Sequence, residues 1–488
     1  MRRVSLSVVA ACVFMSGCAV KAVPFSSAEN AEFANSRLNR VVADQEPVTG
    51  TIDLYEAMAR ALKYNLDAKV EVMLAALKTR EADLVATSAL PRIVAGAGYA
   101  GRSESDPATP STRDEDIRNA DLTFSWNILD FGLSYVRARQ AADDALIQQE
   151  VKRRIVNKVI EDVRTAYWRA VSYQRLVGRM RALKSRVSQA LSDTRALSSS
   201  GESSPLVALT YERELIQVRR EIELLEGELR IAQYQLAALM NVVPGTDFRL
   251  AMPKRGSVRL QIPKNMPDMF RTAMENRPEM REVAYRLRIN EQEVNAALLD
   301  ILPGFNLYAG SNYDSNAFIA ANTWASWGAK VGANLIKIAT LPAVKKKIDA
   351  EAQALDARSL SVAMAIMTQV HISRARFQHL KKSYDTAASL SSVSHRILTQ
   401  IRAETDTERT GEQILIREEM NTLLADAKTD MAYADLQNAY ANVYASLGTD
   451  PYPAGLDMNG TIADIGASLK AFWTTGHAVA NTETAAGK

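Results

Sequence analysis

Between Asp121 and Leu129 (DLTFSWNIL) polar and apolar side chains alternate up to the closing Ile128-Leu129 pair. Asp121, Thr123, Ser125 and Asn127 face one way, while Leu122, Phe124, Trp126 and Ile128 face the other. This period of two predicts a strand with one wet and one oily face. The pattern then changes abruptly: from Leu133 to about Ser198 the chain reads as one helical run, in which Gly178 is the only Gly or Pro. At about 1.5 Å per residue such a run reaches roughly 100 Å, several times the diameter of a small domain, so it predicts a coiled coil or a tube of helices.

Upstream, a helical pattern covers about Leu54 to Ala89, with Thr51 or Asp53 as N-cap, an interruption at Asn65 and a stop at Leu90-Pro91. Ile93 to Gly101 reads as a strand, and the charged, Pro-containing Arg102 to Glu115 as a loop, so the opening stretch closes a hairpin. Ser198 to Pro205 is a turn, a returning helix spans about Leu206 to Met240, and the Pro- and Gly-rich Asn241 to Pro267 is a linker that can hold short strands. The sequence of signals then starts again. Ala273-Met274 answers Ala57-Met58, and Leu302-Pro303 answers Leu90-Pro91. Phe305 to Gly310, the polar Ser311 to Asn322 and Thr323 to Leu335 form a second hairpin; Trp327, Ala329, Val331, Ala333 and Leu335 share its oily face. Helices from about Pro342 to Arg402 and Arg409 to Leu447 follow, ended by Gly448 and Pro451. The chain is one unit used twice: helix, hairpin, long helix, returning helix.

Composition adds limits. Of 488 residues, 47% are hydrophobic and 24% charged, a globular balance, and the net charge of +3 argues against a nucleic-acid partner. Arg2 and Arg3, the apolar Val4 to Phe14 and the ending Met15-Ser16-Gly17-Cys18 read as a targeting signal. That ending resembles a bacterial lipobox, which implies lipid, including palmitate, on Cys18; Ala19 after it fits sorting to the outer membrane. Cys12 is lost with the signal, leaving no cysteine pair for a disulfide or a thiolate metal site.

Four strands of about nine to thirteen residues match the reach of tilted strands across a bilayer. They are too few to close a barrel, since the smallest membrane barrels use about eight. Open edges in lipid leave backbone groups unpaired at several kcal/mol each, so closure has to come from several chains. Trp126, Trp324, Trp327, Tyr99 and Tyr308 suit interfacial or lipid-facing positions. A soluble hairpin packed on the helices is the competing reading.

The duplicated helix, Leu90-Pro91 and Leu302-Pro303, Trp126-Asn127 with Asp130-Phe131-Gly132 leading to Ala138 and Ala141, and the turn Gly201-Glu202-Ser203-Ser204 with Leu209 resemble the TolC-like outer membrane efflux proteins, in their lipid-anchored branch. The resemblance covers nearly the whole mature chain. It implies a mostly α, mixed fold: long coiled-coil helices plus hairpins, with four strands per chain in a homotrimeric 12-stranded barrel above a periplasmic helical tunnel. It also implies docking to a periplasmic adaptor and an inner-membrane transporter. The expected layout is a signal at 1–17, an anchor segment at 18–50, a first repeat at 51–248 (hairpin 92–129, helical hairpin 133–240), a linker at 249–265, a second repeat at 266–450 (hairpin 304–335, helical hairpin 342–447) and an equatorial, then disordered, tail at 451–488.

By the same resemblance, the adaptor-docking tips are Gly201, Ser204, Leu209, Thr407 and Thr410. Here the chain departs from the family: Thr407 and Thr410 stand where the tip motif has glycine and serine, and Gln413 and Ile416 where members carry gating aspartates. Glu404, Asp406, Glu408, Glu412 and Gln413 are the remaining candidates for gate or selectivity, against a bland reading as solvated tip charges. Leu335 to Pro342 also lacks the Asp-Phe-Gly of the first strand-to-helix passage. No catalytic, cofactor or metal constellation is legible. His371, His379, His395 and His477 have no carboxylate or thiolate cluster at metal-ligand spacing, and no phosphate loop or nucleophile elbow is present. The expected function is a passive exit duct of a tripartite efflux system; the alternatives are the outer-membrane component of a type I protein secretion system and a non-conducting periplasmic coiled-coil lipoprotein.

Overall fold

The computed structural model describes residues 22–43, 45–101, 114, 116–128, 130–200, 205–243, 245–253, 262–405 and 411–474. Its elements run α1 (Ser27–Val41), β1 (Thr51–Ile52), α2 (Leu54–Tyr64), α3 (Leu66–Ala86), β2 (Arg92–Gly101), β3 (Asp116–Asn127), α4 (Asp130–Ser200), α5 (Pro205–Leu239) and β4 (Arg249–Leu250). They continue with α6 (Met266–Asn276), α7 (Pro278–Leu299), β5 (Gly304–Asp314), β6 (Thr323–Gly332), α8 (Leu335–Thr405), α9 (Glu412–Ser446) and α10 (Ile462–Thr474).

The duplication is written in the lengths. Helices α4 and α8 are both 71 residues, and α5 and α9 both 35. The helical break recurs too: Asn65 ends α2 by donating its N–H to Ala61, and Arg277 ends α6 by donating to Ala273. Asp53, rather than Thr51, caps α2, its side chain accepting from Glu56 N. Beside α2 the short parallel pair β1–β4 joins the approaches to the two repeats, with Ile52 opposite Leu250.

Three apolar clusters hold the helices. At mid-height α2, α4, α5, α9 and α10 meet around Met58, Ile160, Tyr167, Leu236 and Leu469. Nearer the α4–α5 turn, Leu176, Met180 and Val187 pack on Leu215, Ile222 and Leu423. In the second repeat, Met269 and Ala273 pack on Val370, Phe377 and Val443.

The strands form one antiparallel sheet in the order β2-β3-β5-β6. Its cross-strand rows keep the predicted faces. Ile93, Phe124, Ala309 and Trp327 lie in one row, and Gly96, Asp121, Asn312 and Trp324 in a row of the other face. Trp324 and Tyr308 therefore sit on the polar face, against the lipid-facing expectation: Tyr308 is opposite Gly328, and a Cβ there would lie 2.6 Å from its hydroxyl. The glycine makes room for the ring.

Two boundaries differ from the sequence reading. Strand β6 ends at Gly332 and α8 starts at Leu335, not at Pro342. Asn334, read as the last wet strand residue, caps the helix by accepting from Ile336 N at 3.1 Å, so Pro342 lies inside it. A proline removes one ladder hydrogen bond but does not forbid a helix whose neighbouring turns are otherwise satisfied. The anchor segment contains α1, opened by a capping box at Ser26 and Glu29, and the tail contains α10, whose Ile462, Ile465 and Leu469 are buried.

Candidate functional site

The expected site residues fall in two places, the sheet and the helical tip. On the sheet, Ile93, Tyr99, Leu122 and Val331 are exposed, and Trp327 is 82% exposed. The apolar face is bare, and the edge strands β2 and β6 each pair on one side only among the described residues. Trp126, half-buried at the helical end of the sheet, donates its indole N–H to the Ala89 carbonyl at 3.2 Å. That gives the ring one polar anchor and one oily surface, the chemistry of an interfacial aromatic.

From the sheet to the tip, α4 is tied to the second repeat by two antiparallel ladders of charge. The upper one runs to α7: Arg137 on Glu293, Arg288 on Asp143, and Arg281 on Glu150 at 3.5 Å. Burial works to raise the Glu293 pKa, but hydrogen bonds from Arg137 and Gln140 outweigh it and hold the carboxyl below the usual range. The lower ladder runs to α9: Arg175 on Asp430, Arg179 on Asp426, and Arg186 on Glu419. Arg402 of α8 reaches the same Glu419 at 2.9 Å.

Asp426 gathers donors from three side chains. Its nearly buried carboxylate accepts from Arg179, from Ser391 at 2.6 Å and from His395 Nε2 at 3.0 Å. Burial pushes its pKa up; the Arg179 and Ser391 bonds more than offset that and hold it below the ordinary carboxylate value. Sequence reading missed this ladder, although the signal was present. The arginines are spaced four and then seven residues along α4, and the acids four and then seven residues back along α9. Matching spacings on antiparallel helices place each pair at one height.

Arg164 is a third device. It is fully buried at mid-height, with its guanidinium 3.9 Å from the ring of Trp473 on α10. Desolvation lowers its pKa to about 10, so it stays charged at neutral pH. The Trp473 ring supplies the face that a carboxylate supplies elsewhere, and it pins the C-terminal helix to α4.

At the tip, the structure places only some of the expected residues. Leu209, on the first turns of α5, is 60% exposed. Glu404 ends α8 and accepts from Gln400 at 3.2 Å. Glu412 opens α9, 3.5 Å from Arg186, and Gln413 donates to Glu214 of α5 at 3.1 Å. Two of the gate candidates are thus engaged across the two repeats. Cys18, Gly201, Ser204, Asp406, Thr407, Glu408 and Thr410 lie outside the described residues, as does His477.

No protein-family model and no curated protein sequence matches the chain. Solved structures do match it. The Campylobacter jejuni CmeC outer membrane channel superposes with a TM-score of 0.67 at 13% identity, over 92% of this chain and 97% of that one. The outer-membrane channel OprN gives 0.64 at 17% identity, over 81% of this chain and 89% of that one. The chain has the outer-membrane-channel fold. The open state of the Neisseria gonorrhoeae MtrE outer membrane channel agrees, with a TM-score of 0.62 at 16% identity over 81% and 89% of the two chains. Within that fold the bare sheet and the laddered helices of this chain are one continuous scaffold, with two sheet edges that are unpaired among the described residues at one end and the helix tips at the other.

Proposed function

We propose that the protein is the outer-membrane exit duct of a tripartite efflux system: a homotrimer, lipidated at Cys18, that conducts passively and catalyses no reaction. The observation that carries this reading is the four-stranded sheet, with a bare apolar face and two unpaired edges, set at the end of helices about 105 Å long. An edge in lipid has to be paired, and three copies supply twelve strands. The polar face, with Asp121, Asn312 and Ser326, then lines the lumen.

Uncovered apolar rows on the helices support assembly with neighbours. Val70, Met73 and Leu77 on α3, and Leu390, Val393 and Ile397 on α8, recur at helical spacing and are exposed. At the far end Leu206, Val207 and Leu209 are exposed beside the turn expected to dock a periplasmic adaptor, itself bound to an inner-membrane transporter. A deletion strain tests the reading: sensitivity to small toxic compounds rises and is restored by the intact gene. Loss of a secreted polypeptide with unchanged drug tolerance would assign the duct to type I secretion, and no phenotype with no trimer in the membrane would overturn it.

A further inference from the structure

Where β6 passes into α8 the chain carries a segment of unusual composition, Leu335 to Lys347 (LIKIATLPAVKKK). Ile348 is the first buried residue of α8, and Lys337 and Leu341, half-buried, fall on the same side of the helix at a repeat of 100°. Lys337 is fixed there by Asp300 at 2.8 Å. The opposite arc holds Leu335, Ile336, Ala339, Pro342 and Ala343, and then Lys346; Lys347 lies beside it, and the exposed Lys345 falls midway between the arc and Ile348. Leu335 and Ile336 are 72% and 73% exposed.

The order along the axis matters. The apolar part continues directly from the bare face of β6, and the lysines begin one to two turns farther from the sheet, about 10 Å from Ala339 to Lys346. Leu90 and Leu302, at the same end of the sheet, are also exposed, so the oily surface does not stop at the last strand residue. Of Lys345, Lys346 and Lys347, only Lys347 has an ion-pair partner among the described residues, Glu351 at 3.2 Å.

We propose that this collar, the ammonium groups of Lys345, Lys346 and Lys347 beneath the apolar Leu335–Ala343 arc, binds the phosphate headgroups of anionic phospholipid in the leaflet nearest the helices. The inference rests on the reading of the sheet as part of a lipid-facing barrel. Lysine stems lie along apolar surface while their charged ends reach an interface, and anionic lipid attracts such clusters. A second copy of the chain packed on this arc would have to bury three ammonium groups, a costly step without matching acids, whereas lipid phosphate supplies the opposite charge.

The test uses the full-length, lipidated protein in nanodiscs of phosphatidylcholine with phosphatidylglycerol, extracted into mild detergent for native mass spectrometry. Wild type is expected to retain phosphatidylglycerol over phosphatidylcholine. The variant Lys345→Gln/Lys346→Gln/Lys347→Gln should lose at least threefold of that preference with trimer and bilayer conductance unchanged. Lys381→Gln/Lys382→Gln, exposed on the same helix far from the sheet, should keep it. Equal retention in the triple variant and wild type overturns the proposal. So does a fall in trimer with lipid retention unchanged, which would mark the arc as a protomer interface. A wild-type protein that neither inserts nor conducts refutes the channel reading itself, and that outcome is read separately from lipid preference.

Discussion

Replacing Asp426 by alanine removes the acceptor of the lower ladder's most crowded point. Three donors lose their partner: Arg179, Ser391 and His395. Hydrogen bonds to a charged group contribute about 1.5–3 kcal/mol each, but the losses here do not add. The Arg179 side chain is 45% exposed and His395 about half exposed, so both regain water, and only the buried Ser391 hydroxyl loses its partner outright. A net cost of about 2 kcal/mol follows, roughly a 30-fold rise in local opening between α4 and α9. Hydrogen exchange followed by mass spectrometry reads this directly. Amides of α9 around Asp426 should lose one to two decades of protection, while amides of α2 at mid-height should not change, because their core around Met58 and Ile160 is separate. Arg179→Ala should give a smaller effect, and the double variant should cost less than the two single losses together. Unchanged exchange in α9, or a loss spread evenly over the whole chain, would refute the ladder as a local clamp.

The pH dependence of that clamp has a definite sign. Because the folded carboxyl of Asp426 titrates below its unfolded value, its contribution is present above the unfolded value near pH 4 and is lost as pH falls through the lower folded value; exchange in α9, corrected for intrinsic rates, should rise in acid. Phe124→Arg places a charge on the bare face at about 2–4 kcal/mol and should abolish heat-resistant trimer in isolated outer membranes, whereas Thr123→Arg on the polar face should insert normally and change only the conductance. Gly328→Val brings a Cβ to 2.6 Å from the Tyr308 hydroxyl and should lower the yield of folded sheet, with recovery in the Tyr308→Ser background. Cys18→Ser should end incorporation of labelled palmitate; continued labelling would refute the lipobox reading.

The architecture was legible in sequence where periodicity is strong and long. The alternation from Asp121 to Asn127, the near absence of Gly and Pro from Leu133 to Ser200, and the recurrence of Leu-Pro before each hairpin were enough for sheet faces, long helices and duplication. Pro342 misled because proline is a common first helical residue, and nothing local shows that Asn334 has already capped the helix. Trp324 and Tyr308 misled because aromatic character was read without regard to face: the alternation that puts Trp327 on the oily side puts Trp324 on the other, and the pairing with Gly328 assigns Tyr308 to that polar face. Helix α10 has few residues, and its meaning lies in Trp473 over the distant Arg164. The lower ladder needed two segments some 250 residues apart to be compared for matching charge intervals, as Arg175 and Asp430 show.

The most direct measurement is planar-bilayer recording on the purified, lipidated full-length protein, with its mass determined in the same detergent. A trimer is expected, with discrete conductance steps that shift when Thr123 carries a charge. A monomeric species that leaves the bilayer electrically silent would contradict it.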